Sequence, residues 1–307
     1  MANITAGMVK DLRDKTGAGM MDCKNALTET DGDMEAAIDW LRKKGISKAA
    51  KKAGRAAAEG LVGVAVDANT GVLLEVNAET DFVARNEEFK TFVKDASQLA
   101  LQQGGDLEKL LAHPMGSSTV QQTLTEMVAK IGENMSVRRA AALSVDPGVV
   151  AAYVHNPSSP ELGKIGVLVG LKSIADKDKL SALAKQLAMH VAAASPLALT
   201  QAHMSKDVVD REYAIQKDLA MQSGKPEAVV EKMMEGRMRK YYEETVLLQQ
   251  TFVIDGETQI AKLIEKASKD LGALVEIEGF VRFQVGEGIE KVESDFADEV
   301  AQMAGTR

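Results

Sequence analysis

The sequence contains a single cysteine, Cys23, and aromatic residues make up only 4% of its 307 residues. One cysteine excludes an intramolecular disulfide, and a lone thiol is typical of a protein in a reducing compartment. No apolar run reaches the roughly 18 residues that a membrane span requires, and the N-terminus lacks the basic and then apolar pattern of a signal peptide. We therefore expect a cytoplasmic protein without membrane association, whose core is built from aliphatic side chains and methionine.

Motifs that would indicate catalysis are missing as well. The sequence has no GxxxxGKS or GxxxxGKT motif, so no direct nucleotide binding is expected, and its four histidines lack the spacing of a metal site. Gly17-Ala18-Gly19 imitates the start of a dinucleotide fingerprint, but it lacks the third glycine and follows a predicted helix where a strand is required. We expect no catalytic residues, no metal and no cofactor. The 45 acidic residues leave open an enzyme with dispersed carboxylates, because no spacing singles out a pair.

Positive charge is in deficit, since the chain carries a net charge of −8. This balance argues against general adhesion to nucleic acids or anionic membranes, which are themselves negative. The exception is the stretch 42–55, which holds several Lys and Arg side chains but no acidic one. A solvated linker helix is the favoured interpretation of this stretch, and contact with RNA or with an acidic partner surface is the alternative.

The first 45 residues have the apolar spacing of three short helices. Thr5 can cap the first helix and Asp33 the third, and Gly45 is expected to end the third helix. Cys23 falls on the apolar stripe of the second helix, where a small buried residue is a better interpretation than a nucleophile. Three helices of this length predict a small module with a thin core.

From residue 57 onwards, strand-like and helical segments alternate. The predicted strands are 61–66, 72–76, 149–154, 165–171, 273–277 and 280–285. A helix capped by Asn86 follows the second strand, and a helix through Leu187 follows the fourth. Because the segments 71–74 and 166–169 also resemble each other, the pattern predicts two related α+β subdomains.

The segment 196–244 predicts two helices joined at Ser223-Gly224-Lys225-Pro226, which fits an antiparallel helical hairpin. The predicted fold class is α+β, with a small N-terminal three-helix module, two related α+β subdomains with antiparallel sheets, an inserted antiparallel helical hairpin and a C-terminal helix. The expected boundaries are 1–56 for the N-terminal helical module and linker, 57–147 for the first core subdomain, 148–195 with 245–285 for the second, 196–244 for the hairpin and 286–307 for the C-terminal helical module.

The segment Thr80-Asp81-Phe82-Val83 stands out because it places two apolar side chains in a short connection between a predicted strand and a predicted helix. Connections run over the protein surface. Phe82 therefore either packs back onto its own sheet or docks into another protein, and the residues alone favour packing back. Asp81 can be read as a turn or capping residue.

Motifs spread over essentially the whole chain resemble the bacterial elongation factor Ts family. The matching segments are 16–24, 80–83, 131–134, 138–139, 164–169, 188–190, 221–226, 235–238, 279–283 and 285–291. Each match is modest, but their order and joint presence are highly specific.

This resemblance implies a guanine-nucleotide exchange factor without covalent chemistry, which promotes GDP release from elongation factor Tu during translation elongation. It further implies that the segment 80–83 disturbs the Mg²⁺ and phosphate site of that GTPase. Our hypothesis for the mechanism is that Phe82 acts as a wedge in a pocket of the partner and that Asp81 acts near the metal shell. The candidate residues of this site are Thr80, Asp81, Phe82 and Val83.

The resemblance also implies that the N-terminal module docks on the nucleotide domain of the GTPase and that the second core subdomain reaches another of its domains. The candidate contacts are Leu12, Arg13, Met20, Met21 and His155. Elongation factor Tu is the expected partner, no nucleic-acid partner is expected, and a dimer of heterodimers is left open. The alternative function is an RNA-binding translation accessory protein that uses the basic stretch 42–55.

Overall fold

A computed structural model describes residues 4–16, 18–222 and 226–289. The helices are α1 (Ala6–Thr16), α2 (Met20–Glu29), α3 (Met34–Lys52), α4 (Asp81–Arg85), α5 (Glu87–Gln102), α6 (Leu107–Ala112), α7 (Val120–Ile131), α8 (Lys177–Ala194), α9 (Lys206–Met221), α10 (Glu227–Thr245) and α11 (Ile260–Leu271). The strands are β1 (Glu59–Asp67), β2 (Thr70–Ala78), β3 (Pro114–Met115), β4 (Ser118–Thr119), β5 (Met135–Ser144), β6 (Gly148–Ser159), β7 (Leu162–Lys172) and β8 (Glu276–Gln284). These elements confirm the α+β class, and most of the predicted C-terminal helical module, residues 290–307, lies outside the described residues.

The longer strands form two antiparallel layers of three strands each. In the first layer β2 lies between β1 and β5, and in the second layer β7 lies between β6 and β8. Two residue pairs, Val62 with Gly163 and Gly63 with Leu162, join β1 to β7. The two layers are therefore connected at one corner of a six-stranded sheet.

The two layers pack face to face, and helices cover their outer sides. The interlayer core consists of Val62, Val64, Leu73, Val145, Val150, Leu168 and Phe283. Side chains of α5 and α7, such as Phe89 and Leu124, pack on the outer side of the first layer, and those of α8 and α11, such as Leu187 and Ile264, pack on the second. Strands β1, β2 and β7 are thus buried on both sides, which explains their nearly continuous apolar sequence.

Glycine opens both of the similar segments 71–74 and 166–169, and each glycine faces the other layer. A Cβ on Gly166 would lie 2.7 Å from Cγ1 of Val62, and a Cβ on Gly71 would lie 2.8 Å from Cδ2 of Leu168. Both distances are shorter than non-bonded carbon atoms adopt, so a side chain at either position would force the facing side chain of the other layer to shift.

The carboxylate of Glu75 on β2 is fully buried. It connects the first layer to the segment that follows β8, the last strand of the second layer. It accepts hydrogen bonds from Arg138 (3.0 Å), Arg139 (2.6 Å), the side-chain amide of Asn77 (3.0 Å) and the Gly286 N–H (2.8 Å). Burial alone would raise the pKa of this carboxyl, but the hydrogen bonds outweigh burial and hold the pKa below its ordinary value. Glu75 therefore stays charged at neutral pH and fixes the point where the chain leaves β8.

Helices α1 to α3 form the N-terminal module. Its core consists of Val9, Leu12, Cys23, Ala26, Leu27 and Ala37. Thr5 caps α1 and Asp33 caps α3 as predicted. The prediction that Gly45 ends α3 is wrong, because the helix continues to Lys52. A Cβ on Gly45 would lie 3.3 Å from the Cβ of Ala129 on α7, so the missing side chain lets α3 pack closely against α7.

Two strand predictions also differ from the structure. The segments 273–277 and 280–285 were predicted as two paired strands, but the structure has one strand there, β8, which begins at Glu276 and ends at Gln284. Strand β8 pairs with β7, and the register of this pairing shifts between Gly170 and Leu171. Strand β5 has no predicted counterpart. Its sequence includes Arg138 and Arg139, whose charges interrupt the apolar alternation that indicates a strand.

Helices α9 and α10 pack against each other as a hairpin. Their shared core consists of Ala220, Val230, Met234 and Met238. Arg237 on α10 donates a hydrogen bond to Oε1 of Gln216 on α9 at 2.8 Å. Tyr213 on α9 is exposed.

His190 on α8 is fully buried, and both of its ring nitrogens have partners. Nδ1 accepts a hydrogen bond from the Val253 N–H at 3.3 Å, so Nε2 carries the proton and donates to Oε1 of Gln250 at 2.9 Å. The Gln250 amide donates in turn to the carbonyls of Ala194 and Glu244. Burial lowers the pKa of His190, because it disfavours the charged ring. A neutral imidazole thus ties α8 to the end of α10.

Lowering the pH is expected to destabilise the protein through His190. In the unfolded chain this ring takes up a proton near pH 6.5, whereas the native ring resists protonation, so the free energy of unfolding falls as the pH drops below about 6.5. One such group can remove at most about 1.4 kcal/mol between pH 7.5 and 5.5. Urea unfolding of the wild type, His190→Gln and the exposed control His203→Gln at both pH values measures the effect. An equal loss of stability in the wild type and His190→Gln would contradict it.

Candidate functional site

The segment 80–83 begins the short helix α4, which follows β2. Thr80 has an extended backbone and precedes the helix. Val83 packs in the core of the first layer, whereas the Phe82 side chain is 74% exposed. Successive side chains of an α-helix point about 100° apart, so a helix that buries Val83 turns Phe82 toward solvent.

The interpretation favoured by the residues alone, that Phe82 packs back onto its own sheet, is therefore wrong, whereas the wedge expected from the family resemblance requires the exposed side chain that is observed. Its neighbour Val83 does pack back, so the two apolar side chains of this connection point in different directions. An exposed phenylalanine on a surface connection is a candidate for contact with another protein.

A turn after α7 fixes the start of α4. The Glu133 carboxylate accepts hydrogen bonds from the N–H of Thr80 at 3.0 Å and from its Oγ1 at 2.8 Å. The Asn134 N–H donates to the Glu79 carboxylate, and the Asn134 side-chain amide donates to the Arg55 carbonyl at 2.7 Å. Sequence reasoning did not identify these contacts, and the only signal was that the turn belongs to the family resemblance.

Asp81 is the first residue of α4 and pairs with Arg85 one turn later. Its Oδ2 lies 2.7 Å from Nη2 of Arg85, and both side chains are more than 40% exposed, at 44% and 74%. An exposed ion pair of this kind contributes at most about 1 kcal/mol, so Asp81 can exchange this partner for another at little cost. A carboxylate in the first turn of a helix is also favourable toward the helix dipole.

The N-terminal module exposes two methionines at the start of α2, Met20 and Met21, which are 49% and 67% exposed. Arg13 on α1 is exposed as well. The predicted contact Leu12 is wrong, because this side chain is fully buried in the core of the module and cannot reach a partner. Arg13, Met20 and Met21 are the surface candidates that remain.

His155 lies on β6, the outer strand of the second layer, opposite Ile165 of β7. Its ring is exposed, and Nδ1 lies 3.2 Å from the hydroxyl of Tyr153. The structure therefore places the candidate residues on three separate elements, the helical module, α4 and β6, and not in one pocket.

Two further properties concern the described part of the chain alone. There, no group of three or more His, Cys, Asp or Glu side chains is arranged to hold a metal ion. Over the same residues, every helix is too short or too polar to cross a membrane.

Several positive side chains of the basic stretch 42–55 have acidic partners. Arg42 lies 3.9 Å from Glu126, and Lys44 lies 3.6 Å from Asp22. Arg55 is bound to Glu79 at the base of α4. These ion pairs reduce the positive charge that the stretch offers to a polyanion.

Comparisons with known proteins identify the relatives of the chain. The family model described as Elongation factor TS matches residues 79–287. The Elongation factor Ts of Rhodospirillum centenum is 60% identical over 307 residues, which cover 99% of this chain and 100% of the relative. That of Rhodospirillum rubrum is 60% identical over 304 residues, 98% of each chain, and that of Maricaulis maris is 57% identical over 310 residues, 99% of each chain. These matches confirm the resemblance seen in the motifs, and the chain belongs to the elongation factor Ts family.

Proposed function

We propose that this protein is a guanine-nucleotide exchange factor that promotes GDP release from elongation factor Tu during translation elongation in the cytoplasm, without covalent chemistry of its own. Membership of the elongation factor Ts family supports the proposal. The observation that carries it is the outward-facing Phe82 beside the charged Asp81, on a short helix whose base is held by hydrogen bonds.

Exchange requires that the factor bind the nucleotide-free GTPase more tightly than the GDP-bound one. GDP and Mg²⁺ hold each other in a phosphate site, because the ion neutralises the phosphate oxygens. The two effects are linked. If binding of the factor lowers the affinity of the GTPase for GDP by some ratio, binding of GDP lowers the affinity of the GTPase for the factor by the same ratio. Each 1.4 kcal/mol of this coupling changes an affinity about tenfold.

Phe82 is the proposed wedge. Removing its exposed ring from water on docking contributes a few kcal/mol. This free energy is gained only when a pocket opens in the GTPase, so it stabilises the open, nucleotide-free conformation. Val83 and Ala84 on the other side of α4 stay packed in the core of the first layer, so the helix that carries Phe82 is anchored.

Asp81 is proposed to act near the Mg²⁺ shell. Its carboxylate is the immediate neighbour of Phe82 in the chain, so a docked Phe82 brings it close to the phosphate site. Mg²⁺ is bound through a small number of oxygen ligands and several waters, and a further carboxylate disturbs that arrangement. The Arg85 pair is the only contact that Asp81 must give up among the described ion pairs.

The helical module and β6 are proposed to hold the two proteins together. Met20 and Met21 form an adaptable apolar contact with the nucleotide domain, beside the charge of Arg13. His155 is proposed to reach another domain of the GTPase from the outer strand of the second layer.

Timing the release of fluorescent GDP from purified elongation factor Tu tests the proposal. Excess unlabelled GDP is added with and without the full chain, and we expect release to accelerate with chain concentration and then saturate. No acceleration at concentrations where the two proteins bind in a pull-down would contradict the proposal. Salt-sensitive retention of RNA without binding of the GTPase would favour the RNA-binding alternative.

Replacing Met20 and Met21 with serine is expected to weaken docking and leave the rate of the bound complex unchanged. Losing two partly exposed thioethers from an interface costs about 1–2 kcal/mol, so the half-saturating concentration should rise about 5- to 30-fold. The release assay over a range of chain concentrations measures this, with Met221→Ser, another exposed methionine, as the matched control. A lower maximal rate at an unchanged half-saturating concentration would contradict the assigned role.

A further inference from the structure

The turn of Gly132, Glu133 and Asn134, here called the 132–134 turn, connects three parts of the chain that are distant in sequence. Glu133 binds Thr80 at the start of α4, and Asn134 binds both Glu79 and Arg55. Glu79 directly follows β2, and Arg55 lies in the linker between the helical module and β1. The turn thus lies where the first layer, the linker and α4 meet.

We propose that Glu133 is a positioning residue that sets the direction of Phe82, and that Asn134 holds the linker of the helical module at the same point. The inference rests on the proposed function, because it assigns a role to Glu133 in presenting the wedge to elongation factor Tu.

Helix α4 cannot hold its own position. It has five residues, and helices of this length are not stable alone. A threonine before a helix usually caps it with its own hydroxyl, but Thr80 makes no such bond within α4. Its hydroxyl and its N–H both donate to the Glu133 carboxylate, 53 residues further along the chain. The start of α4 is therefore held by a distant residue.

The other end of the contact is equally well defined. Gly132 ends α7 in the left-handed conformation, with φ of 86°, which turns the chain sharply after the helix. Glu133 and Asn134 follow directly and face Thr80 and Glu79. Asn134 also reaches the Arg55 carbonyl, while the Arg55 side chain lies 3.4 Å from Glu79. The linker and α4 are thus attached to one rigid helix end.

This arrangement matters because ordering a segment on docking reduces the affinity gained from its contacts. Because α4 is already ordered, less of the free energy gained by burying Phe82 is spent on ordering the helix, and more of it stabilises the nucleotide-free GTPase. Without Glu133, α4 must be ordered when it meets the GTPase, while Met20 and Met21 still dock as before. Loss of Glu133 should therefore lower the maximal rate of GDP release by roughly 5- to 20-fold and leave the half-saturating concentration nearly unchanged.

The test compares Glu133→Ala with Glu133→Gln, which keeps one acceptor oxygen. Exposed Glu108→Ala on α6 is the matched control. Amide hydrogen exchange of residues 78–86 in the free protein reports the order of α4 without the partner, and the GDP-release assay reports maximal rate and half-saturating concentration. We expect faster amide exchange and a lower maximal rate in Glu133→Ala, partial recovery in Glu133→Gln and wild-type values in the control Glu108→Ala.

Unchanged amide exchange in Glu133→Ala overturns the inference. The inference is also overturned if Glu133→Ala shows faster amide exchange but releases GDP at the wild-type maximal rate, while Phe82→Ala releases GDP slowly. If Phe82→Ala and Glu133→Ala both release GDP at the wild-type rate, the wedge of the proposed function is overturned instead. Should Glu133→Ala fail to fold, the same criteria apply to Glu133→Gln, whose shape matches the native side chain.

Discussion

Replacing Phe82 with alanine is expected to slow GDP release from elongation factor Tu by roughly 30-fold or more at saturating factor. Truncating an aromatic side chain at the centre of a contact typically costs about 2–4 kcal/mol, and each 1.4 kcal/mol changes an equilibrium about tenfold. Because the ring is 74% exposed in the free protein, the free energy of unfolding should change by no more than about 0.5 kcal/mol. A large effect on exchange with an unchanged stability distinguishes a docking residue from a core residue.

The matched control for Phe82→Ala is Ile174→Ala, since Ile174 is 83% exposed and lies between β7 and α8. This control should release GDP at the wild-type rate. Asp81→Ala is the companion variant, and its defect should shrink when Mg²⁺ is chelated, because the proposed target of the carboxylate is then absent. Wild-type release by Phe82→Ala and Asp81→Ala would remove the wedge mechanism.

Replacing Glu75 with glutamine is expected to lower the free energy of unfolding by about 3 kcal/mol or more. The carboxylate is fully buried and accepts hydrogen bonds from Arg138, Arg139, Asn77 and the Gly286 N–H. A neutral amide leaves two guanidinium groups without their shared counter-charge, and breaking a buried ion pair on one side typically costs about 3–5 kcal/mol. Urea unfolding at pH 7 measures the difference.

The control for Glu75→Gln is Glu161→Gln, whose carboxylate makes an exposed pair with Lys94 at 3.7 Å and should contribute less than about 1 kcal/mol. The direction of the pH effect adds a second check. The native pKa of Glu75 is lowered, so its stabilisation is present above the unfolded pKa and is lost as the pH falls through the native pKa. The wild type should therefore lose its advantage over Glu75→Gln in acid. A difference below 0.5 kcal/mol at pH 7, taken as roughly the effect of a surface substitution, would contradict the assigned role.

The fold followed from the sequence where local patterns are strong. The interlayer strands β1, β2 and β7 have nearly continuous apolar sequences, and α3 has the capping residue Asp33. Strand β5 was missed because Arg138 and Arg139 interrupt its pattern, although both side chains are bound to Glu75 of the next strand. Two adjacent arginines that bind a buried carboxylate look the same in the sequence as two adjacent arginines that are exposed to solvent.

The candidate site shows the same division. The segment 80–83 was correctly placed in a surface connection. Its residues alone favoured packing Phe82 back onto the sheet, and only the family resemblance implied the exposed position that the structure shows. Leu12 was a candidate contact with the partner and lies in the core of the helical module. Neither outcome depends on residue type, because each depends on which side of a helix meets another element.

The spacing of apolar residues, caps and glycines along the chain was enough to establish the α+β class, because these patterns depend on residues within one or two turns of each other. The family was recognised from a set of motifs in a fixed order. Packing between distant segments settled the rest. It turned Phe82 outward by burying Val83, and it brought Glu133 to Thr80 across 53 residues. Such contacts are set by how helices and sheet layers fit together, which no short stretch of sequence specifies.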